Sequence, residues 1–303
     1  MGATHARAAN AVATGAGEPT PVTVNTRRGP VEYASFGEGQ PVLAIHGAMG
    51  GYDQGLILAR TIGGPGYRFV AVSRPGYLGT PLSAGRAPEE QADLLADLFE
   101  TLGIREVAVM AISGGGPSAM HFALRHRERC WALVLVSTCG GTIDTRVPLS
   151  FQFTKLLVRW PALLALMRRR TLGNLERAAR RSITDPLLRA RTVQDPHAGP
   201  LLKALMASTL DRMALRLPGT ENDIAVTRST TYPLEQIAVP VLVVHGTADP
   251  LVPFKKHAMT LVNRIPGAEL LALEGGEHAA IFTHRDEVRL RVTRFLGEHA
   301  RWG

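Results

Sequence analysis

A chain of 303 residues is long enough for one large α/β domain with an insertion, or for two smaller domains. Hydrophobic residues make up 45% and charged residues 20%, ordinary for a globular protein, and no stretch approaches the ~18 uninterrupted apolar residues of a membrane span. The net charge of +8 raises the question of a nucleic-acid partner, but no zinc-finger, RNA-recognition or related motif accompanies it.

Met1–Thr20 is Ala- and Gly-rich with one arginine. It lacks the apolar core of ~7–15 residues that a secretory signal needs, and it reads as a disordered tail. Val22–Asn25 and Val31–Phe36 read as an opening hairpin around Arg27-Arg28-Gly29-Pro30. Pro41–Ile45 is a buried strand that breaks into His46-Gly47-Ala48-Met49-Gly50-Gly51. Such a break leaves free backbone N–H groups at the carboxyl edge of a sheet, where α/β ligands bind, and the N–H of Ala48 is the candidate. Tyr67–Val72 is the next buried strand. In Ser73-Arg74-Pro75-Gly76-Tyr77 after it, Pro and Gly fix a rigid turn, and Arg74 reads as a structural hydrogen-bonder rather than a catalyst. Pro88–Leu102 is an amphipathic helix with Glu89 and Glu90 in its first turn and Gly103 as its stop.

Val107–Ile112 is a run of small and β-branched residues, a strand buried on both faces. Ser113-Gly114-Gly115-Gly116 follows, and helical spacing returns at Pro117. A strand that turns at once into a helix strains the turning residue and needs small neighbours. A serine there is held out at the top of the sheet, which is the logic of the nucleophile elbow G-x-S-x-G. Here the first Gly is Ala111. Alone, the pattern also suits a flexible or phosphate-cradling turn.

Trp131–Val136 is the next strand. Cys130 and Cys139 bracket it, and nine extended residues separate them by roughly 30 Å, against under ~7 Å for a disulfide. They should be unpaired thiols, as in a reducing, cytoplasmic setting. From Gly140 to Tyr232 the alternation of strand and helix stops. Phe151–Met167, Leu175–Arg189 and Pro200–Leu217 read as helices of an inserted cap, with Pro161 kinking or restarting the first. This segment holds 15 Lys and Arg against 7 Asp and Glu, so it carries the whole excess charge. The sheet resumes at Pro240–Val244 and leads to Asp249; Phe254–Arg264 is a helix. Glu269–Leu273 leads to Gly275-Gly276-Glu277-His278, and Asp286–Leu296 closes the chain as a helix. Strands alternating with helices imply a parallel, doubly wound sheet.

Ser113, Asp249 and His278 each follow a strand, in the order Ser, Asp, His. With His46-Gly47, the Ser73–Tyr77 turn, the elbow, His245-Gly246-Thr247-Ala248-Asp249 and Gly276-Glu277-His278, the sequence resembles the α/β-hydrolase superfamily over roughly Val22–Leu296. The resemblance implies an α/β fold: a mostly parallel eight-stranded sheet with helices on both faces and a helical cap inserted after the sixth strand. The corresponding units are a tail at 1–20, a core at 21–139 and 233–303, and a cap at 140–232. Ala111 departs from the family pattern, as does Ser73, where many relatives carry Asp. A serine nucleophile disfavours the haloalkane dehalogenases and epoxide hydrolases, whose elbows carry Asp.

The roles then follow from the chemistry. His278 takes the proton of Ser113, Asp249 orients His278, and the N–H groups of Ala48 and Gly114 hold the oxyanion. Asp144 is the alternative acid. Phe151, Trp160 and Leu164 of the cap are the expected substrate-binding residues. No cofactor and no metal are expected. The function expected is a serine esterase for a small to medium acyl ester or lactone, with a small-molecule acyl substrate as its partner. The alternatives on the same residues are a carbon–carbon bond hydrolase, a peptidase or a cofactor-free haloperoxidase-like enzyme, and, in another class, a non-catalytic receptor. The apolar, basic cap admits a second reading, contact with an anionic membrane.

Overall fold

The computed structural model describes residues 18–143 and 155–300. Eight strands form one sheet: β1 (Val22–Thr26), β2 (Gly29–Phe36), β3 (Gln40–Ile45), β4 (Tyr67–Val72), β5 (Val107–Ile112), β6 (Cys130–Val136), β7 (Val241–Gly246) and β8 (Glu269–Leu273). Their order is β1-β2-β4-β3-β5-β6-β7-β8. The pairs β1–β2 and β2–β4 are antiparallel, and every later pair is parallel.

The central strands are buried on both faces, and their residues alternate between two cores. Leu43, Val109, Leu133 and Val243 join the face covered by α2 (Pro88–Thr101), α3 (Gly116–Arg125) and the helix Phe254–Arg264. Val42, Met110, Val134 and Leu242 join the other, covered by α1 (Tyr52–Ile62) and the closing helix Arg285–His299. Ala111 is fully buried in the first core, so its methyl group is accommodated on the strand side of the elbow.

Between β6 and β7 the described residues form helices and no strand: α4 (Pro161–Gly173), α5 (Leu175–Ala179), α6 (Pro186–Gln194), α7 (Ala198–Leu210) and α8 (Leu217–Ser229). This is the inserted cap. The single helix expected over Leu175–Arg189 is two, because Asp185 caps a new start, accepting from Leu188 N–H at 2.8 Å ahead of Pro186. The one expected over Pro200–Leu217 is also two, broken where Arg212 takes a left-handed φ of 49°.

The cap is fastened to the core by polar contacts, most of them buried or partly buried. Arg216, fully buried, grips Asp53 of α1 at 2.6 Å and 3.1 Å. Gln54 Nε2 donates to Ser208 Oγ at 3.0 Å and Thr209 Oγ1 at 3.2 Å. Thr184 donates through both its N–H and its hydroxyl to Glu277 Oε1, each at 2.7 Å. Cys130 and Cys139 are unpaired and buried, and burial pushes the Cys130 thiol up to about 12.

Candidate active site

β5 delivers Ser113 at the carboxyl edge of the sheet with φ of 52°, then passes through a single tight turn into α3. A left-handed φ is costly for a residue with a side chain, and it is held here by its surroundings. The Thr138 hydroxyl donates to the Ser113 carbonyl at 2.6 Å and pins the turn from β6.

The loops after β7 and β8 are laced together. Thr247 N–H donates to Leu273 O at 2.9 Å and Ala248 N–H to Gly276 O at 3.0 Å. This register puts Asp249 beside His278, whose Nδ1–H donates to Asp249 Oδ2 at 2.8 Å, while its Nε2 faces Ser113 Oγ at 3.1 Å. The other carboxylate oxygen, Oδ1, accepts the N–H groups of Leu251 at 2.9 Å and Val252 at 3.0 Å. Burial works against the Asp249 charge, but hydrogen bonds from His245 and His278 outweigh it and hold the carboxyl well below its ordinary range. Asp249 therefore stays ionised wherever His278 acts as a base.

A Cβ on Gly246 would lie 2.1 Å from Gly276 O, so the two loops meet backbone to backbone there. Gly246→Ala should force them apart, lower the melting temperature and reduce kcat/KM at least ~10-fold, because a displacement near 1 Å can cost ~10²-fold. Calorimetry and ester turnover check both.

The Gly47–Ala48 backbone lies against the elbow: a Cβ on Gly114 would be 3.3 Å from the Ala48 nitrogen. Neither N–H donates to an acceptor among the described residues. Two adjacent unused amides beside a serine hydroxyl can receive developing negative charge on a carbonyl oxygen. Behind them His46 is fully buried. Its Nε2 accepts Arg74 N–H at 3.0 Å and its Nδ1 meets Gly47 O at 2.6 Å, so the proton sits on Nδ1. Burial first, then the Arg74 charge, keep this ring neutral. It shapes the loop and has no nitrogen left for proton transfer.

Ser113 and His278 open into a cavity of about 370 Å³. Ile57, Leu58, Ile112, Leu205, Ile281 and Phe282 give it a chiefly apolar wall, and Gln54, Arg181, Ser182, Thr209 and Glu277 add polar groups. Two of the expected substrate contacts, Trp160 and Leu164, are not found in that wall. Trp160 is 62% exposed, and Leu164 is half-buried where α4 packs on α7. Leu163, Leu164 and Met167 are half-buried on a helix that packs on α7, and sequence alone does not separate such spacing from pocket lining. Phe151 lies outside the described residues, as does the alternative acid Asp144. Leu205→Ala should therefore shift kcat/KM between short and long acyl groups by ~10-fold or more, with Trp160→Ala leaving the ratio unchanged, in a p-nitrophenyl ester series.

Several neighbours of the site gave no signal in the sequence. Asp223, Arg216 and Gln54 are polar residues whose partners lie more than a hundred residues away in the chain. Arg74 is a structural hydrogen-bonder as read: it is 1% exposed and pairs with Asp223. Among the described residues no group of three or more His, Cys, Asp or Glu side chains is placed to hold a metal ion.

Residues 40–285 match the family described as alpha/beta hydrolase fold. A solved structure of an alpha/beta hydrolase fold protein from Nakamurella multipartita superposes with a TM-score of 0.79 at 34% identity, covering 91% of this chain and 99% of that one. Among curated proteins, a 2-hydroxy-6-oxononadienedioate/2-hydroxy-6-oxononatrienedioate hydrolase of Paraburkholderia phymatum is 28% identical over 88% of this chain and 91% of its own. A 2-hydroxy-6-oxo-6-phenylhexa-2,4-dienoate hydrolase of Burkholderia cepacia is 26% identical over 86% of this chain and 88% of its own.

Proposed function

This chain belongs to the α/β-hydrolase fold family, and from that membership we propose that it is a serine-nucleophile hydrolase that breaks a carbon–carbon bond beside a ketone in a carboxylate-bearing substrate. The observation that carries the chemistry is the aligned run Ser113 Oγ, His278 Nε2, His278 Nδ1, Asp249 Oδ2 at the floor of an apolar cavity. The substrate class rests on the curated relatives. The compounds in their names carry a ketone and carboxylates but no ester or amide, so their hydrolysis must break a carbon–carbon bond. Arg181, at the cavity wall with no ion pair to another described residue, supplies a cation for a substrate carboxylate; Glu277 nearby is occupied by Thr184.

In this reading His278 takes the Ser113 proton as Oγ attacks the ketone carbon. The carbonyl oxygen becomes an oxyanion on the Ala48 and Gly114 amides. Collapse re-forms the carbonyl and breaks the bond to the adjacent carbon. The substrate reacts as its 2-oxo tautomer, the hydroxyl proton having moved to the carbon beside the 6-ketone, so the departing electron pair is delocalised through the remaining double bond onto the 2-oxo oxygen, and His278 returns the Ser113 proton to the resulting dienolate. Water, deprotonated by His278, then releases the acyl group from Ser113 as a carboxylic acid.

A second reading, ester hydrolysis, is favoured by the chiefly apolar cavity wall. The two separate in one comparison: kcat/KM for a 2-hydroxy-6-oxo-dienedioate against a p-nitrophenyl ester series. The carbon–carbon reading expects the dienedioate to win, and Arg181→Gln to raise its KM ~10-fold while leaving neutral esters alone. Ester turnover ~100-fold above that of the dienedioate would replace it with the ester reading.

A further inference from the structure

Helix α8 of the cap presses on the elbow through one buried carboxylate, that of Asp223. Arg74 Nη1 donates to Asp223 Oδ1 at 2.7 Å and Nη2 to Oδ2 at 2.6 Å. The Tyr77 hydroxyl donates to Oδ2 at 2.6 Å. Arg74 is 1% exposed and Asp223 7%. A charged pair buried this deeply seldom adds stability over apolar residues of the same volume, so what it fixes in space is the relevant question.

It fixes the loop that carries one oxyanion donor. Arg74 Nε donates to His46 O at 3.1 Å, and its backbone N–H to His46 Nε2 at 3.0 Å. From the other side, Thr220 Oγ1, also on α8, accepts Met49 N–H at 2.9 Å. Ala48 lies between these two anchors in sequence, with helix α8 behind both. The second donor lies close to the same carboxylate, with no room for a side chain between them: a Cβ on Gly114 would lie 2.9 Å from Asp223 Oδ2 and 3.3 Å from Ala48 N. A bare carboxylate this close would oppose an oxyanion. The bidentate guanidinium cancels it, leaving a rigid, neutral strut.

We propose that Asp223 is a positioning residue for the oxyanion amides of Ala48 and Gly114, acting through Arg74, so that the hole is complete only with helix α8 docked on the core. The inference rests on Ser113 being the nucleophile. With asparagine in place of Asp223, one Nη group faces an NH₂ donor instead of an acceptor, the bidentate grip that fixes the guanidinium plane is broken, and the Nε contact to His46 O loses its registry. The chemistry of Ser113 and His278 is untouched.

The test compares wild type with Asp223→Asn and with the paired variant Asp223→Asn, Arg74→Gln, which leaves no uncompensated buried charge. The probes are p-nitrophenyl acetate, phenyl trifluoromethyl ketone, which forms a tetrahedral adduct with an active serine, and acetophenone, which forms no stable adduct. All are measured well below each variant's melting temperature. Both variants should lose ~10- to 100-fold in kcat/KM and the same factor in trifluoromethyl ketone affinity, with acetophenone affinity within about threefold of wild type. If Asp223→Asn yields no folded protein, the paired variant gives the answer. A folded variant that keeps kcat/KM and trifluoromethyl ketone affinity within about threefold overturns the proposal and makes the pair a mere strut of the fold. If wild type itself does not bind the trifluoromethyl ketone in a way that Ser113→Ala abolishes, the nucleophile assignment falls and this inference with it.

Discussion

Ser113→Ala should reduce kcat by about 10⁴- to 10⁶-fold on any substrate the chain turns over, with the melting temperature within about 2 °C of wild type. The substitution removes one oxygen that faces His278 Nε2 at 3.1 Å at the cavity floor. It keeps the backbone contact that shapes the elbow, the Thr138 hydroxyl on Ser113 O at 2.6 Å. Alanine inherits the same left-handed φ of 52° at similar strain, so the fold has no reason to change. Residual activity above about a tenth of wild type, in protein with an unchanged melting curve, would move the nucleophile elsewhere.

Asp249→Asn should cost about 10⁴-fold in kcat with the protein still folded. The reason lies in the second carboxylate oxygen. Oδ1 accepts two backbone N–H groups, from Leu251 and Val252. An asparagine must turn its carbonyl toward that pair, because its NH₂ there would set donor against donor. The NH₂ then faces His278 Nδ1, which must become an acceptor. The ring proton moves to Nε2, the nitrogen that should receive the Ser113 proton. Crystallography of the variant would show geometry intact and chemistry blocked. A rate within tenfold of wild type would show that another acid orients His278.

The strands were legible because each is a short run of apolar residues with punctuation at both ends. Tyr67–Val72, Val107–Ile112 and Glu269–Leu273 fall where the sequence puts them. Helix α1 was not, and the obstacle is physical. Its start at Gly51 has no side-chain cap, and Gly55 interrupts the helical pattern. A Cβ at Gly55 would meet Ala44 O and the Ala71 Cβ, each at 2.9 Å, so the residue that hides the helix is the one that lets it lie close on the sheet. Ser113, Asp249 and His278 were legible through their order and their places after strands. Asp223 was not: on the helix it is one acid among cap charges, and only the fold brings it to Arg74, 149 residues away. Trp160 misled for the complementary reason, since a large apolar side chain in a cap can face outward.

Cys130 opens β6 in the middle of the sheet, and Cys139 lies just past its end, next to the threonine that pins the elbow. With both thiols buried and their pKa values raised by that burial, alkylating reagents at neutral pH find no thiolate on the folded chain. Alkylation of this protein is consequently a clock for opening of the sheet. A serine-directed phosphonate counts intact nucleophile sites, so the two reagents applied together would sort competent from unfolded molecules in a single mass spectrum.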